Sequence, residues 1–154
     1  MLKTTSEAAT GLKVTTHTLV YQTECAPQFI DITDRVTELV QESGMDTGIA
    51  VVFSKHTTAA ICINENEPGH IADLERMLCK MFPESDHYDH NIDHPTLDGE
   101  RPNGHAHCQH MWLGASEQIP IVGARLTFGK WQRLFLVELD QAREREVVVQ
   151  LLGQ

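Results

Sequence analysis

The hydrophobic and polar positions of the chain follow two periods, one typical of strands and one typical of helices. Residues 11–21 carry apolar or threonine side chains at every second position from Leu12 to Val20. This period of two predicts a half-buried strand, with His17 on the opposite and wetter face. Residues 28–33 read QFIDIT and predict a second short strand.

A first helix is predicted over residues 34–43, where apolar side chains recur at helical spacing. Thr33 or Asp34 is the expected N-cap, because a short side chain with an oxygen atom can accept the unpaired N–H groups of a first turn. Gly44 marks the expected end of this helix. The apolar stripe consists of Val36, Leu39 and Val40.

A second helix is predicted over residues 68–82. Pro68 suits its first turn, where the missing N–H costs little, and Pro83 is the expected stop. His70 and Asp73 lie on or beside this helix. Its apolar positions are Ile71, Leu74, Leu78 and Met81.

The remaining apolar segments are short. Residues 48–54 and 59–65 read GIAVVFS and AAICINE, continuous runs typical of strands that are covered on both faces. Four further strands are predicted at residues 118–122, 124–128, 131–139 and 145–152. This arrangement predicts an α+β fold with a mostly antiparallel, β-sandwich-like core and two principal helices. We expect a single domain over residues 1–154, with a flexible N-terminus at residues 1–10.

The charge of the chain limits its partners. A formal net charge of −10 argues against nucleic acid or an anionic membrane, because binding to either depends on a basic face. A small anionic metabolite stays compatible with this charge if cations gather locally. Such cations would come from a metal or from Lys55, Arg125, Lys130 and Arg133.

Two features predict a cytoplasmic protein. No apolar run approaches the ~20 residues that a membrane-spanning helix needs, and the first residues lack an apolar signal core. The four cysteines form no CxxC pattern, so we expect reduced thiols.

Six of the nine histidines lie between His87 and His110, among carboxylates, prolines and glycines and without a sustained apolar period. This composition predicts a site, a disordered loop or both. Imidazole and carboxylate groups bind zinc, manganese or iron, and imidazole also transfers protons near pH 7. The histidines that no pattern assigns to a role are His87, His94, His105 and His110.

Several motifs follow one another in the order seen in the YjbQ family. They include HTTAAI from His56 to Ile61, INEN from Ile63 to Asn66, and G-x-WQ from Gly129 to Gln132. Further matches are Tyr88 with His90, Ala106-His107, Leu113-Gly114 with Ser116, and Ile119-Pro120. The chain therefore resembles this family over about residues 29–149. One departure is Lys130, which stands where the family usually has threonine.

The resemblance implies a homotrimer with a β-sandwich, a polar pocket near the subunit boundaries and sometimes a bound metal. It also implies a secondary thiamine-phosphate synthase activity. In that reaction a pyrimidine diphosphate and a thiazole phosphate are joined and pyrophosphate is released. A non-catalytic trimer that binds a metal or an anionic metabolite is the alternative, and a metal-dependent hydrolase is a third reading.

Individual residues can then be given expected roles. Three histidines from separate segments can hold zinc or magnesium and leave a position open for water or substrate. These expected metal ligands are His56, His90 and His107. The expected catalytic groups are Glu65, Asp73 and His107. The expected substrate-binding groups are Asn64, Lys55, Ser116, Lys130, Trp131 and Gln132.

Each role has a purely structural alternative. The three histidines can bond one another and solvent, and Asn64 and Glu65 can cap a strand end. Asp73 can be a solvated carboxylate. Trp131 can pack in the core, and Ser116 can cap a turn.

Overall fold

The computed structural model describes residues 11–93 and 101–154. The predicted flexible segment 1–10 and His94 lie outside the described residues. The strands are β1 (Lys13–Gln22), β2 (Gln28–Asp31), β3 (Thr47–Ser54), β4 (Ala59–Glu65), β5 (Ser116–Val122), β6 (Arg125–Leu126), β7 (Gln132–Glu138) and β8 (Glu144–Gly153). The helices are α1 (Thr33–Ser43), α2 (Pro68–Met81), α3 (His90–Asp93) and α4 (Gly104–Leu113).

The strands form two sheets. One has the order β1-β8-β3-β5-β6 and the other the order β2-β7-β4, and neighbouring strands in both sheets run antiparallel. The predicted α+β fold with a mostly antiparallel core is therefore confirmed.

The main core lies between the inner faces of the two sheets and α1. Ala50 and Val52 of β3, Val149 of β8 and Leu136 of β7 are all fully buried there. The helix contributes its predicted stripe, and it ends at Gly44 with a positive φ of 68°, as expected. The predicted cap is wrong, because Ile32 holds the N-cap position without a side-chain hydrogen bond.

The faces of β1 are the reverse of the prediction. Val14 and Val20 are exposed, whereas Leu19 and Tyr21 pack against the core and His17 lies on that same half-buried face. The prediction failed because both faces of β1 carry apolar side chains. A period of two locates the strand but does not choose the face that turns inward.

The five-stranded sheet thus has an apolar outer face. Cross-strand register places Val14, Leu152, Ile49 and Pro120 in one row across β1, β8, β3 and β5. Phe53 lies on the same face and is also exposed. The prediction that β3 is covered on both faces is therefore wrong within the single chain.

The helix α4 was not predicted. It occupies the second half of the histidine-rich stretch, and its buried positions are Gly104, His105, Ala106 and Gln109. Such a face of small and polar residues has no apolar period, and so the usual helical signal is missing. Ala106 packs with Leu78 of α2 and Phe135 of β7 in a second, smaller core cluster.

The helix α2 agrees with its predicted span. Glu67 is its N-cap and accepts the backbone N–H groups of Gly69 and His70, a bond pattern that satisfies the first turn. Only Leu78 of the predicted stripe is fully buried. Met81 is exposed, and the helix packs on the second core cluster through Leu78 and the half-buried Ile71.

Candidate functional site

A cavity of about 300 Å³ lies where the end of β3, the start of β4, the β7–β8 turn and α4 meet. Three cations, two histidines and one amide contribute to its lining. They are Lys55, Arg143, Arg145, His56, His107 and Asn103. We call this cavity the cationic pocket. Its charge contrasts with the net charge of −10 of the whole chain.

Arg145 is fixed by the most deeply buried ion pair of the pocket. It is 4% exposed and Glu138 is fully buried. Arg145 Nε and Nη2 donate to the two carboxylate oxygens of Glu138 at 2.6 and 2.5 Å, and Nη2 also donates to Thr58 Oγ1 at 3.0 Å. Glu138 further accepts the Thr23 hydroxyl at 3.0 Å. A bidentate pair of this kind holds the guanidinium plane in one orientation.

Arg143 pairs through one nitrogen with Asp140, another fully buried carboxylate. Arg143 Nη2 donates to Asp140 Oδ2 at 2.7 Å. Asp140 Oδ1 accepts Arg101 Nε at 3.4 Å, and Asn103 Nδ2 donates to Oδ2 at 3.5 Å. Neither Glu138 nor Asp140 lines the cationic pocket. The two arginines therefore lie in the wall of the pocket and their carboxylates lie behind it.

His56 is a neutral hydrogen-bonding group in this pocket. Its Nε2 accepts the backbone N–H of Glu146 at 2.9 Å, so the ring proton lies on Nδ1. Burial and the neighbouring Arg145 cation hold the pKa of His56 below its usual range. Next to it, Lys55 pairs with the Glu146 carboxylate, and this pair lowers the pKa of Glu146.

Of the three histidines predicted to bind metal, two are adjacent. The ring centroids of His90 and His107 lie 4.6 Å apart in an edge-to-face arrangement, and His107 shares the cationic pocket with His56. Within residues 11–93 and 101–154, no three His, Cys, Asp or Glu side chains form a group that could hold a metal ion. His56 Nε2 already accepts a backbone hydrogen bond. The metal stays a prediction.

Three other predicted residues meet at a second surface. Glu65, Lys130 and Trp131 line a shallow cavity of about 330 Å³ with Asn66 and Arg133. Trp131 is 62% exposed, and Lys130 Nζ lies 4.5 Å from its ring centroid. Core packing, the structural alternative for Trp131, is therefore wrong. We call this second cavity the Trp131 surface.

The cationic pocket and the Trp131 surface lie at opposite ends of β4. Thr58 precedes the first residue of this strand, and Glu65 is its last residue. At ~3.3 Å per residue the two ends are ~20 Å apart. A single chain therefore does not bring the predicted catalytic and substrate-binding groups into one site.

Four further predicted residues have local partners. Asn64 Oδ1 lies 2.9 Å from His70 Nε2, and Gln132 Oε1 accepts the backbone N–H of Gly129 at 2.8 Å. Asp73 pairs with Arg76 on the exposed side of α2. Ser116 is exposed at the start of β5, opposite Phe53.

The histidines without an assigned role have different surroundings. His87 is exposed, and its Nε2 lies 3.0 Å from Asp89 Oδ1. His105 and His110 lie on α4, and burial lowers the pKa of both.

Sequence reasoning missed four residues that build the cationic pocket: Glu138, Asp140, Arg143 and Arg145. The signal was present in the segment ELDQARER, where two acids precede two bases at short spacing. Charged residues at a strand end are usually solvated, so a charge pattern of this kind does not by itself indicate a buried network.

Comparison with known proteins identifies the family. The family model described as "UPF0047 protein YjbQ-like" matches residues 17–154. The chain belongs to the YjbQ family. A UPF0047 protein of Methanothermobacter thermautotrophicus is 36% identical over 93% of this chain and 95% of its own. The UPF0047 protein YugU of Bacillus subtilis is 33% identical over 88% of this chain and 98% of its own.

Solved structures of YjbQ relatives have the same fold. A YbjQ-like protein of unknown function from Sulfolobus solfataricus is 36% identical, with a TM-score of 0.86 over 94% of this chain and 100% of that one. A family member from Clostridium acetobutylicum is 39% identical, with a TM-score of 0.79 over 88% of this chain and 98% of that one. In the described part of this YjbQ chain, no helix is long and apolar enough to cross a membrane.

Proposed function

We propose that the cationic pocket binds the phosphate groups of a small anionic metabolite. The observation that carries this proposal is the orientation of its ion pairs. Arg145 and Arg143 line the cavity while Glu138 and Asp140 lie behind them, fully buried. Phosphate oxygens are well matched by guanidinium groups whose planes are already fixed. His56 adds an N–H donor at Nδ1.

We further propose that the bound metabolite is the diphosphate substrate of a thiamine-phosphate synthase reaction, which is the activity implied by the family. The thiazole nitrogen attacks the methylene carbon of the pyrimidine diphosphate, a C–N bond forms, and the C–O bond to diphosphate breaks. The leaving pyrophosphate takes the electron pair of that bond. Lys55, Arg143 and Arg145 stabilise its negative charge. This step needs no general base.

The predicted zinc or magnesium ion is tested separately. Metal analysis of the purified protein, with His90→Ala and His107→Ala as variants, decides whether these adjacent histidines hold an ion. Retention of the full metal content by both variants would remove them from the set of ligands.

We also propose that the protein is a homotrimer whose subunits meet through the outer face of the five-stranded sheet. Val14, Val20 and Phe53 are exposed there, and an apolar patch of this kind marks an association surface. The face continues to the Lys55–Glu146 pair at the edge of the cationic pocket. A neighbouring subunit would therefore approach the pocket, as heterologous contacts in closed rings allow.

The assembly is tested by the mass in light scattering at micromolar concentration. A trimer mass is expected, and Val20→Glu should lower it. Met81→Glu places the same charge on an exposed position of α2 and should leave it unchanged. A monomer mass for the unchanged protein would contradict the proposal.

The pocket is tested by calorimetric titration with pyrophosphate. Lys55→Met should weaken binding by roughly tenfold, in line with ~1 to 2 kcal/mol for one charge-assisted contact. Arg125→Met removes the same charge from the exposed strand β6 and is the matched control. Equal affinities of the two variants would place the anion elsewhere.

Turnover separates an enzyme from a binding protein. The purified protein is incubated with pyrimidine diphosphate and thiazole phosphate, and both thiamine phosphate and pyrophosphate are measured. Formation of both products, lowered in Lys55→Met but not in Arg125→Met, supports the transferase. Pyrophosphate binding without turnover of this pair contradicts the transferase and leaves the metabolite-binding proposal standing.

A further inference from the structure

The Trp131 surface contains an exposed indole ring that belongs to a closed turn. Gln132 donates its backbone N–H to the Gly129 carbonyl at 3.0 Å, and its side-chain Oε1 accepts the Gly129 N–H at 2.8 Å. These two bonds close residues 129–132 into a turn with Lys130 and Trp131 at its centre. The ring of Trp131, which is 62% exposed, is therefore attached to a fixed backbone. A ligand that contacts it does not first have to order the chain.

Two opposite charges lie beside this ring and are not paired with each other. The register of the sheet places Glu65 directly opposite Gln132, next to the turn, and both Glu65 and Lys130 line the cavity. In the part of the chain that the structure describes, no lysine, arginine or histidine nitrogen lies within 4.0 Å of the Glu65 carboxylate. Among the same residues, no carboxylate oxygen lies within 4.0 Å of Lys130 Nζ. The cavity thus presents one anion and one cation that a ligand can reach.

The other charged side chains of the cavity already have partners. Arg133 donates to two carboxylates, at 2.7 and 2.9 Å, and the two oxygens of Glu67 accept backbone N–H groups of α2. A ligand with only negative charge would be repelled by Glu65, and one with only positive charge would be repelled by Lys130. A ligand that carries both charges can satisfy both groups.

The volume of the cavity limits the ligand to a small molecule. A cavity of about 330 Å³ corresponds to a sphere roughly 9 Å across, which is at the lower end of the range for ligand sites. Glu65 and Lys130 border this space from positions more than 4.0 Å apart, so a molecule with two neighbouring charged groups can lie between them. The exposed part of the Trp131 ring can then pack against a flat apolar substituent of that molecule.

We propose that the Trp131 surface is a binding site for a free α-amino acid with an aromatic side chain. The carboxylate of the amino acid binds Lys130, its ammonium group binds Glu65, and its aromatic ring stacks on Trp131. This site shares no residue with the cationic pocket. Either proposal can therefore fail without the other.

The test uses L-phenylalanine as the probe and two analogues that each lack one charge. Phenylpropionate lacks the ammonium group, and phenylethylamine lacks the carboxylate. Each compound is titrated into full-length protein with isotope-labelled tryptophan, and the indole N–H signals are followed by NMR. Phenylalanine should shift the Trp131 signal saturably and leave the signal of Trp112, on α4, unchanged. Each analogue should bind roughly threefold more weakly, as expected for the loss of one exposed ion pair.

Variants at the two charged positions show which group of the ligand each one binds. Glu65→Gln should abolish the preference for phenylalanine over phenylpropionate. Lys130→Met should abolish the preference over phenylethylamine, and Lys130→Arg should retain it. Glu24→Gln and Lys80→Met remove the same charges from exposed positions outside the cavity, and both preferences should persist in these controls.

L-alanine tests the contribution of the indole ring, because it carries both charges and no aromatic group. It should bind roughly fivefold more weakly than phenylalanine. Equal affinities of alanine and phenylalanine would overturn the assignment to an aromatic amino acid. A Trp131 signal that does not saturate, or equal affinities of phenylalanine and both single-charge analogues for the unchanged protein, would overturn the site itself.

Discussion

The cationic pocket and a cavity of about 250 Å³ between α4 and the end of α2, which we call the α2–α4 cavity, lie on either side of Asp140 and differ in how their polar groups are satisfied. Behind the cationic pocket, both oxygens of Glu138 and both oxygens of Asp140 accept hydrogen bonds. In the α2–α4 cavity, one polar atom of His105 and one of Gln109 have no partner among the described residues. A completed network fixes charged groups for an anion. An incomplete one leaves buried polar atoms whose desolvation is not offset by a hydrogen bond.

The largest change in stability is expected where the completed network is broken. Arg145→Met leaves Glu138 buried without its counter-ion, and we expect the free energy of unfolding to fall by ~3 to 5 kcal/mol. Urea denaturation measures this change. The double variant Glu138→Gln with Arg145→Met removes both charges but keeps an acceptor for the backbone N–H groups of Leu139 and Asp140, and it should recover part of the loss. A single variant as stable as the unchanged protein would show that the network contributes little.

A smaller loss is expected on acidification, because both cavities hold a neutral imidazole. The pKa values of His56 and His105 are lowered from 6.5 by burial. The unfolded chain therefore takes up protons more readily, so the stability that these groups contribute is fully present above pH ~6.5 and is lost as pH falls through their lowered values.

Urea midpoints at pH 7.5 and 5.5 measure this loss at pH values above the ordinary range of carboxylates. His56→Gln and His105→Gln should each reduce the difference between the two midpoints. His87→Gln is the control, since His87 is exposed. An unchanged difference in both test variants would assign the acid sensitivity to other groups.

Relief of the incomplete network should change stability much less than disruption of the completed one. Gln109→Leu removes an unpaired acceptor together with one long hydrogen bond of 3.4 Å. The two losses oppose each other, so we expect the free energy of unfolding to change by less than ~1 kcal/mol. A loss of more than ~2 kcal/mol in urea denaturation would mean that Gln109 Oε1 has a partner in solution.

The smallest change is expected at the Trp131 surface, outside both cavities. Trp131 is 62% exposed, so Trp131→Ala should lower the free energy of unfolding by less than ~1 kcal/mol, compared with ~3 to 5 kcal/mol for a core tryptophan. Phe135→Ala, at a buried position of β7, gives the core value for comparison. A large loss for Trp131→Ala in the trimer but not in the monomer would place the ring in the subunit interface.

The sequence patterns predicted the architecture better than the site. The strand and helix periods located β1, β3, β4, α1 and α2, because each of these elements buries at least one apolar stripe or run. They did not locate α4, whose buried face is formed by Gly104, His105, Ala106 and Gln109. They also did not show which face of β1 turns inward. That choice depends on how the two sheets pack.

The candidate site was predicted in part. Lys55, His56 and His107 line one pocket, but Glu65 and Trp131 lie at the far end of β4. The order of the motifs along the chain does not show that these two groups of residues are separated in space, because the two ends of one strand are close in sequence. The roles of Arg143 and Arg145 follow only from the burial of Glu138 and Asp140, which a charge pattern does not reveal.

The ion pairs of the cationic pocket also differ in how much chain they enclose. Arg145 and Glu138 are seven residues apart, whereas Lys55 and Glu146 are 91 residues apart. Since the entropy of loop closure grows with the logarithm of loop length, closing the longer loop costs ~2 kcal/mol more. We therefore expect the Arg145–Glu138 pair to form early in folding, within the β7–β8 segment alone. The Lys55–Glu146 pair would form only after β3 and β8 have paired.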